Sequence, residues 1–213
     1  MKYWGKSLGF RLAITVIILT LVGFASTTSA ELTRLKGKFK ILDEPSTHVR
    51  GKVKLTEFAD FYCPHCHMFE RTVLPTLKDE FGDSLEVTFV GFPVIPGKLP
   101  TAFEMYEQAR MMGRGAEMKR ALFRTIHQDD THLLDRVIRG ALIKEVGLDP
   151  VEFEAGLASA KPARALEAGK KWGERVNVEY TPTILLDGNI KAESINRQNL
   201  GTIIRSILDS DSK

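Results

Sequence analysis

Apolar and polar positions alternate along residues 52–58, where Val53, Leu55 and Glu57 fall on one face and Lys52, Lys54, Thr56 and Phe58 on the other. That period of two predicts a strand. Past Cys63 the period lengthens. Cys66, Phe69, Val73 and Leu77 recur at helical spacing, so a helix is expected to follow the strand after a tight turn. Pro75 lies inside this run, where it removes the bond to the Arg71 carbonyl and predicts a kink. Residues 85–90 read as a second strand. Residues 31–50 show no period and are expected to be irregular.

From about residue 99 to residue 176 the pattern is helical, with four or five helices expected. Asp149, Pro150 and Glu152 supply a capping carboxylate, a first-turn proline and an acid at the third helical position. Leu134, Val137, Ile138, Ala141, Leu142 and Val146 make an apolar stripe ahead of them. Strand character returns over residues 183–186, followed by the hairpin signal Asp187-Gly188-Asn189 and a short partner strand near Ile190. Asn196 then caps a last helix, whose Leu200, Ile203, Ile204, Ile207 and Leu208 keep helical spacing. This order predicts an α/β fold: a mixed sheet flanked by helices, formed by residues 31–98 and 177–213, with an all-α domain inserted over 99–176.

The chain begins differently. Lys2, Lys6 and Arg11 precede an apolar run over residues 12–25, and Thr28-Ser29-Ala30 presents small residues where a signal peptidase cuts. Residues 1–30 are therefore expected to be a signal peptide cleaved after Ala30, with an uncleaved membrane anchor as the alternative, which implies a periplasmic or other extracytoplasmic location. The 213 residues fit one domain with an insertion, and 43% hydrophobic with 27% charged residues excludes a disordered or multi-span chain. The formal charge of +3 equals the three leader cations, so the mature part is balanced and gives no reason to expect nucleic acid.

Export changes the meaning of the two cysteines, because thiols outside the cytoplasm are normally oxidised. Cys63 and Cys66 are separated only by Pro64 and His65, and a bridge closing so small a loop would constrain the unfolded chain little. Redox chemistry is the better explanation. Pro64 at the first helical position makes Cys63 the N-cap, where the helix end favours an anion and His65 can add to that effect. Cys63 is thus expected to attack, and Cys66, one turn deeper, to resolve. Two rivals share these residues. Cys63-Pro64-His65-Cys66-His67 also fits covalent attachment of a c-type haem in an electron-transfer protein, which a visible spectrum would reveal. Zinc would require His67, His127 and His132 to converge. With redox thiols preferred, no cofactor and no metal is expected.

The segment Glu57-Phe-Ala-Asp-Phe-Tyr-Cys63-Pro-His-Cys66 resembles the active-site segment of the DsbA-like thiol:disulfide oxidoreductases, and the insertion, Thr181-Pro182, the hairpin and the last helix follow in that family's order. The resemblance implies a thioredoxin-like mixed sheet with an inserted helical domain. It implies an exported dithiol oxidase that passes a Cys63–Cys66 disulfide to folding proteins through a mixed disulfide at Cys63. A DsbB-type membrane oxidase is implied as the partner that recharges it. By the same resemblance, Pro182 is a cis-proline beside the disulfide, the backbone of Thr181 pairs with extended substrate, and Glu57 is a buried acid that moves the proton of Cys66. Thr181 departs from the aliphatic residue of the prototype and is similar to the isomerase-like relatives, so isomerase and reductase remain alternatives. Residues 31–50 leave no room for the N-terminal domain that joins those isomerases into dimers, and a monomer is expected. Met105, Met111, Met112 and Met118 are read as core filling. His48, His127 and His132 are given no role, and the Lys and Arg of the helices are read as solvated faces.

Overall fold

The computed structural model describes residues 35–97, 101–129 and 135–211; the leader, Leu99, His132 and Leu134 lie outside them. Strands β1 (Phe39–Ile41), β2 (Val53–Ala59), β3 (Leu85–Gly91), β4 (Thr183–Leu186) and β5 (Ile190–Ala192) form one mixed sheet in the order β1-β5-β4-β2-β3. β2 pairs in parallel with β3 and antiparallel with β4, which places it inside the sheet. Its Val53, Leu55, Phe58 and Ala59 are fully buried, since helices cover both faces. β1 corrects the expectation that residues 31–50 are irregular. It is a three-residue edge strand on β5, too short and too exposed to carry a period of its own.

Between β2 and β3 the chain forms α1 (Pro64–Met68), a π-helical segment (Phe69–Val73) and α2 (Leu74–Phe81). The proline kink takes this form: the amide of Leu74 reaches back five residues to the Phe69 carbonyl, and the extra residue absorbs the bond that Pro75 cannot make. Among the described residues five helices separate β3 from β4: α3 (Thr101–Met111), α4 (Gly115–His127), α5 (Arg136–Glu145), α6 (Pro150–Ala158) and α7 (Lys161–Arg175). Asp149 caps α6 through the amide of Glu152 at 2.8 Å. The stripe expected on α5 is shifted, because Leu142, Ile143 and Val146 are buried while Val137 is 81% exposed. Of the four methionines, Met105 and Met118 are core residues, whereas Met111 is on the surface.

The helical block shares one core with the sheet. Phe61, just past β2, is fully buried with ring centroids 5.0–5.3 Å from Phe89, Phe103 and Phe123. On another side Phe58 meets Trp172 of α7 edge to face at 5.1 Å. The last helix, α8 (Arg197–Asp211), buries Leu200, Ile203, Ile204 and Ile207 and is capped by Asn196 Oδ1, which accepts from the Asn199 amide.

His48, expected to stand alone, is gripped from both sides. Nδ1 lies 2.8 Å from Asp187 in the β4–β5 turn, and Nε2 lies 2.8 Å from Asp211 at the end of α8. Arg50 donates to the Asp211 carbonyl, and the amides of Gly51 and Lys54 donate to the same two carboxylates. Partial burial works against the charged ring, but the hydrogen bonds to Asp211 and Asp187 outweigh it and raise the His48 pKa above its ordinary 6.5. A raised folded value means stabilisation that is complete below the unfolded pKa and lost as pH rises through the folded one. His48→Gln is therefore expected to lower the urea midpoint at pH 5.5, by about 0.5–1 kcal/mol in stability, and to cost much less at pH 8.5. An equal gap at both pH values would contradict this.

Candidate active site

The site is built where β2 ends. Asp60 is buried and accepts three backbone amides, those of Tyr62 (2.8 Å), Val94 (2.7 Å) and Ile95 (2.9 Å). Its carbonyl takes the amide of Cys63 at 3.1 Å. One carboxylate thus fastens the turn before the cysteines to the loop after β3. Sequence reading passed over Asp60, although an aspartate two residues before a turn amide is the signature of an Asx turn.

Cys63 occupies the N-cap of α1 with extended backbone, and Pro64 follows at the first helical position. Its sulfur makes no capping bond. The Cys63 carbonyl takes the amides of Cys66 and His67, and the thiol donates instead to the Thr181 carbonyl at 3.4 Å. The sulfur is thereby held against the Thr181-Pro182 loop, whose peptide bond is cis. Pro64 and His65 are exposed, Cys63 is 5% exposed and Cys66 is fully buried. Both cysteines are free thiols.

Burial pushes the Cys66 thiol far up, and the nearby Cys63 and Glu57 add to this, while the backbone at Asp60 and the Thr181 side chain pull the other way. Glu57 is fully buried, and among the described residues neither of its carboxylate oxygens has a hydrogen-bond partner. Desolvation, followed by the charge of Glu70, raises its pKa well above the usual carboxylate range; Lys119 and Lys78 offset this only in part. Glu70, in the π-helical segment, is ion-paired with Lys119 of α4, and both are nearly buried. Lys119 also stands 5.1 Å over the Phe89 ring. This pair, which brings the insertion's charge to the base of the redox helix, carries no sequence signal because its members are 49 positions apart.

His67 and His127 do come together. Their rings stack with centroids 4.6 Å apart, and His127 Nε2 donates to the Phe61 carbonyl at 2.8 Å. Burial, His127 and Arg71 lower the pKa of His67. Thus Cys63, Cys66, Pro64, His65, Glu57, Thr181 and Pro182 surround one sheet–helix junction, with the imidazoles of His67 and His127 on the flank toward α4.

Residues 46–206 match a family model described as thioredoxin. The chain belongs to the thioredoxin family. Within it, the chain is 26% identical over 200 residues to the thiol:disulfide interchange protein DsbA of Yersinia pestis, covering 90% of this chain and 93% of that one. It is 25% identical over 142 residues to the DsbA of Pseudomonas aeruginosa, covering 66% of each, so the match spans about two thirds of that relative's length. The structure superposes on oxidoreductase DsbA from Xylella fastidiosa with a TM-score of 0.66 at 19% identity, over 82% of this chain and 95% of that one. The protein is a DsbA-like, thioredoxin-fold oxidoreductase. Among the described residues no helix is long and apolar enough to cross a membrane.

The burial of Glu57 has a measurable cost. Its raised pKa means that the folded state holds a proton the unfolded chain releases, so stability falls as pH rises above the unfolded value near 4.5. Glu57→Gln, which cannot ionise, is expected to raise the denaturant midpoint at pH 7.5 by removing that loss, worth about 1–3 kcal/mol on the linkage scale. At pH 4 the two proteins should unfold together. A variant less stable than the parent at pH 7.5 would contradict this placement.

Proposed function

We propose that the protein donates a Cys63–Cys66 disulfide to reduced proteins folding outside the cytoplasm. The observation that carries this reading is the asymmetry of the pair. Cys63 stands at the helix start beside the exposed Pro64 and His65, while Cys66 is enclosed near a buried acid.

In the first step a substrate thiolate attacks the Cys63 sulfur. The Cys63–Cys66 bond breaks, its electron pair goes to the Cys66 sulfur, and that sulfur takes a proton. A thiolate of high pKa leaves slowly, so a protonated carboxyl nearby has a use: Glu57 supplies the proton. Once protonated, Cys66 is a poor nucleophile, so the mixed disulfide persists until the substrate's second thiolate attacks the substrate sulfur. Cys63 is then the leaving sulfur, and once it takes a proton its thiol donates to the Thr181 carbonyl. The substrate has gained a disulfide and lost two electrons, and the protein holds two thiols. A membrane oxidase of the DsbB type returns it to the disulfide form. The backbone beside Pro182 pairs with extended substrate, and the exposed Met68 and Tyr180 give apolar contact around it. In this reading the leader directs export, the sheet unit carries the chemistry, the insertion covers it, and the protein acts as a monomer.

Mixed-disulfide trapping tests the assignment. Cys66→Ser is expected to accumulate complexes with exported proteins joined through Cys63, at least tenfold above the parent, and Cys63→Ser to form none. Comparable yields of substrate joined to Cys66 in the Cys63→Ser protein would reverse the two roles.

A further inference from the structure

A cleft of about 780 Å³ opens between the active-site helix and α4. His67, Glu70 and Arg71 form one wall, spaced so that they share a helix face; Glu117, Arg120 and Arg124 line the other at the same kind of spacing. Its floor is apolar, from the buried Ala121, Phe123 and Val146. The charges on its rim are mostly spent. Arg114 pairs with Glu117, Arg124 makes a two-pronged pair with Glu145 at 2.7 Å for each arm, and Glu70 is held by Lys119. Among the described residues Arg71 and Arg120 have no carboxylate partner, and both are exposed. Among the described residues the cleft therefore presents two guanidinium groups that no carboxylate touches, while the carboxylates that line it are each paired, above an apolar floor.

We propose that this cleft docks an acidic segment of the polypeptide whose thiols are exchanged at Cys63. The proposal rests on the oxidoreductase reading and names the substrate class it favours. Guanidinium forks match carboxylates in geometry as well as charge. The shape points to a peptide rather than a small anion. The lining runs from Arg114 to Gln128, the whole length of α4, and at about 1.5 Å per helical residue that is roughly 21 Å. An extended segment of about six residues covers that span. His67, the residue after Cys66, lines the cleft with Glu70 and Arg71, so the helix that begins at Cys63 supplies part of its wall. Arg71 and Arg120 are solvated, as expected of helix arginines, and the fold brings them from two distant helices to one cleft.

The test separates docking from chemistry. A fluorescein-labelled, cysteine-free decapeptide rich in Glu is titrated against the full protein by anisotropy, beside a Lys-rich and a Ser/Gly peptide. The Glu peptide is expected to bind at least tenfold tighter than the others, to lose about five- to tenfold in Arg71→Gln/Arg120→Gln, and to be unaffected by Arg205→Gln on α8. Equal affinity for the three peptides, or an unchanged double variant, overturns the proposal. In a second arm, dithiol peptides with the same flanks are oxidised. The ratio of kcat/KM for acidic over neutral flanks should fall toward one in the double variant, and an unchanged ratio overturns the coupling of docking to exchange. Selective binding with no oxidation of any peptide would leave the groove standing and sink the oxidase reading instead.

Discussion

Everything at the site depends on one junction, the point where β2 stops and a helix begins at Cys63. A buried strand cannot turn into a helix without leaving backbone groups unpaired, and Asp60 resolves this by accepting three amides while its carbonyl takes the amide of Cys63. Pro64 then starts the helix at the one position where a missing amide costs nothing. The result is a sulfur pinned between a helix N-terminus and the Thr181 carbonyl, with the second sulfur a turn below it and sealed. Chemical inequality between two identical side chains follows from that placement.

The helical insertion takes part in the site rather than standing beside it. Phe61 is clasped by rings from β3, α3 and α4, so the turn carrying the cysteines is packed by both parts of the molecule. Lys119 reaches from α4 to Glu70, and its charge offsets part of the cost of keeping Glu57 in the interior. His127 holds the Phe61 carbonyl and stacks on His67. These contacts tie the insertion's position to the protonation of the groups around the thiols.

Much of this was readable before folding because it is local. Asp149 and Asn196 cap helices through bonds that span three residues, Asp187 and Gly188 take the positive φ angles that a tight hairpin demands, and the strand-to-helix change of period marks the junction itself. The order of motifs was enough for the fold, and the residues it singled out lie around one sheet–helix junction. What stayed hidden is long-range or too short to have a pattern. β1 is three residues that become a strand only on β5. His48 meets partners 139 and 163 positions away, and nothing near it in the chain hints at either. The swap of a capping bond for a thiol bond to Thr181 depends on a loop 118 residues downstream.

The central claim is that the helix start favours the open, dithiol form over the disulfide. Its most direct test is equilibration with glutathione buffers, combined with guanidinium unfolding of both redox forms of the same protein. A reduction potential well above the roughly −270 mV of thioredoxin is expected, with an oxidised form that unfolds at lower denaturant than the reduced one. A disulfide form that is the more stable of the two, with a potential as low as thioredoxin's, would contradict it and make the protein a reductase.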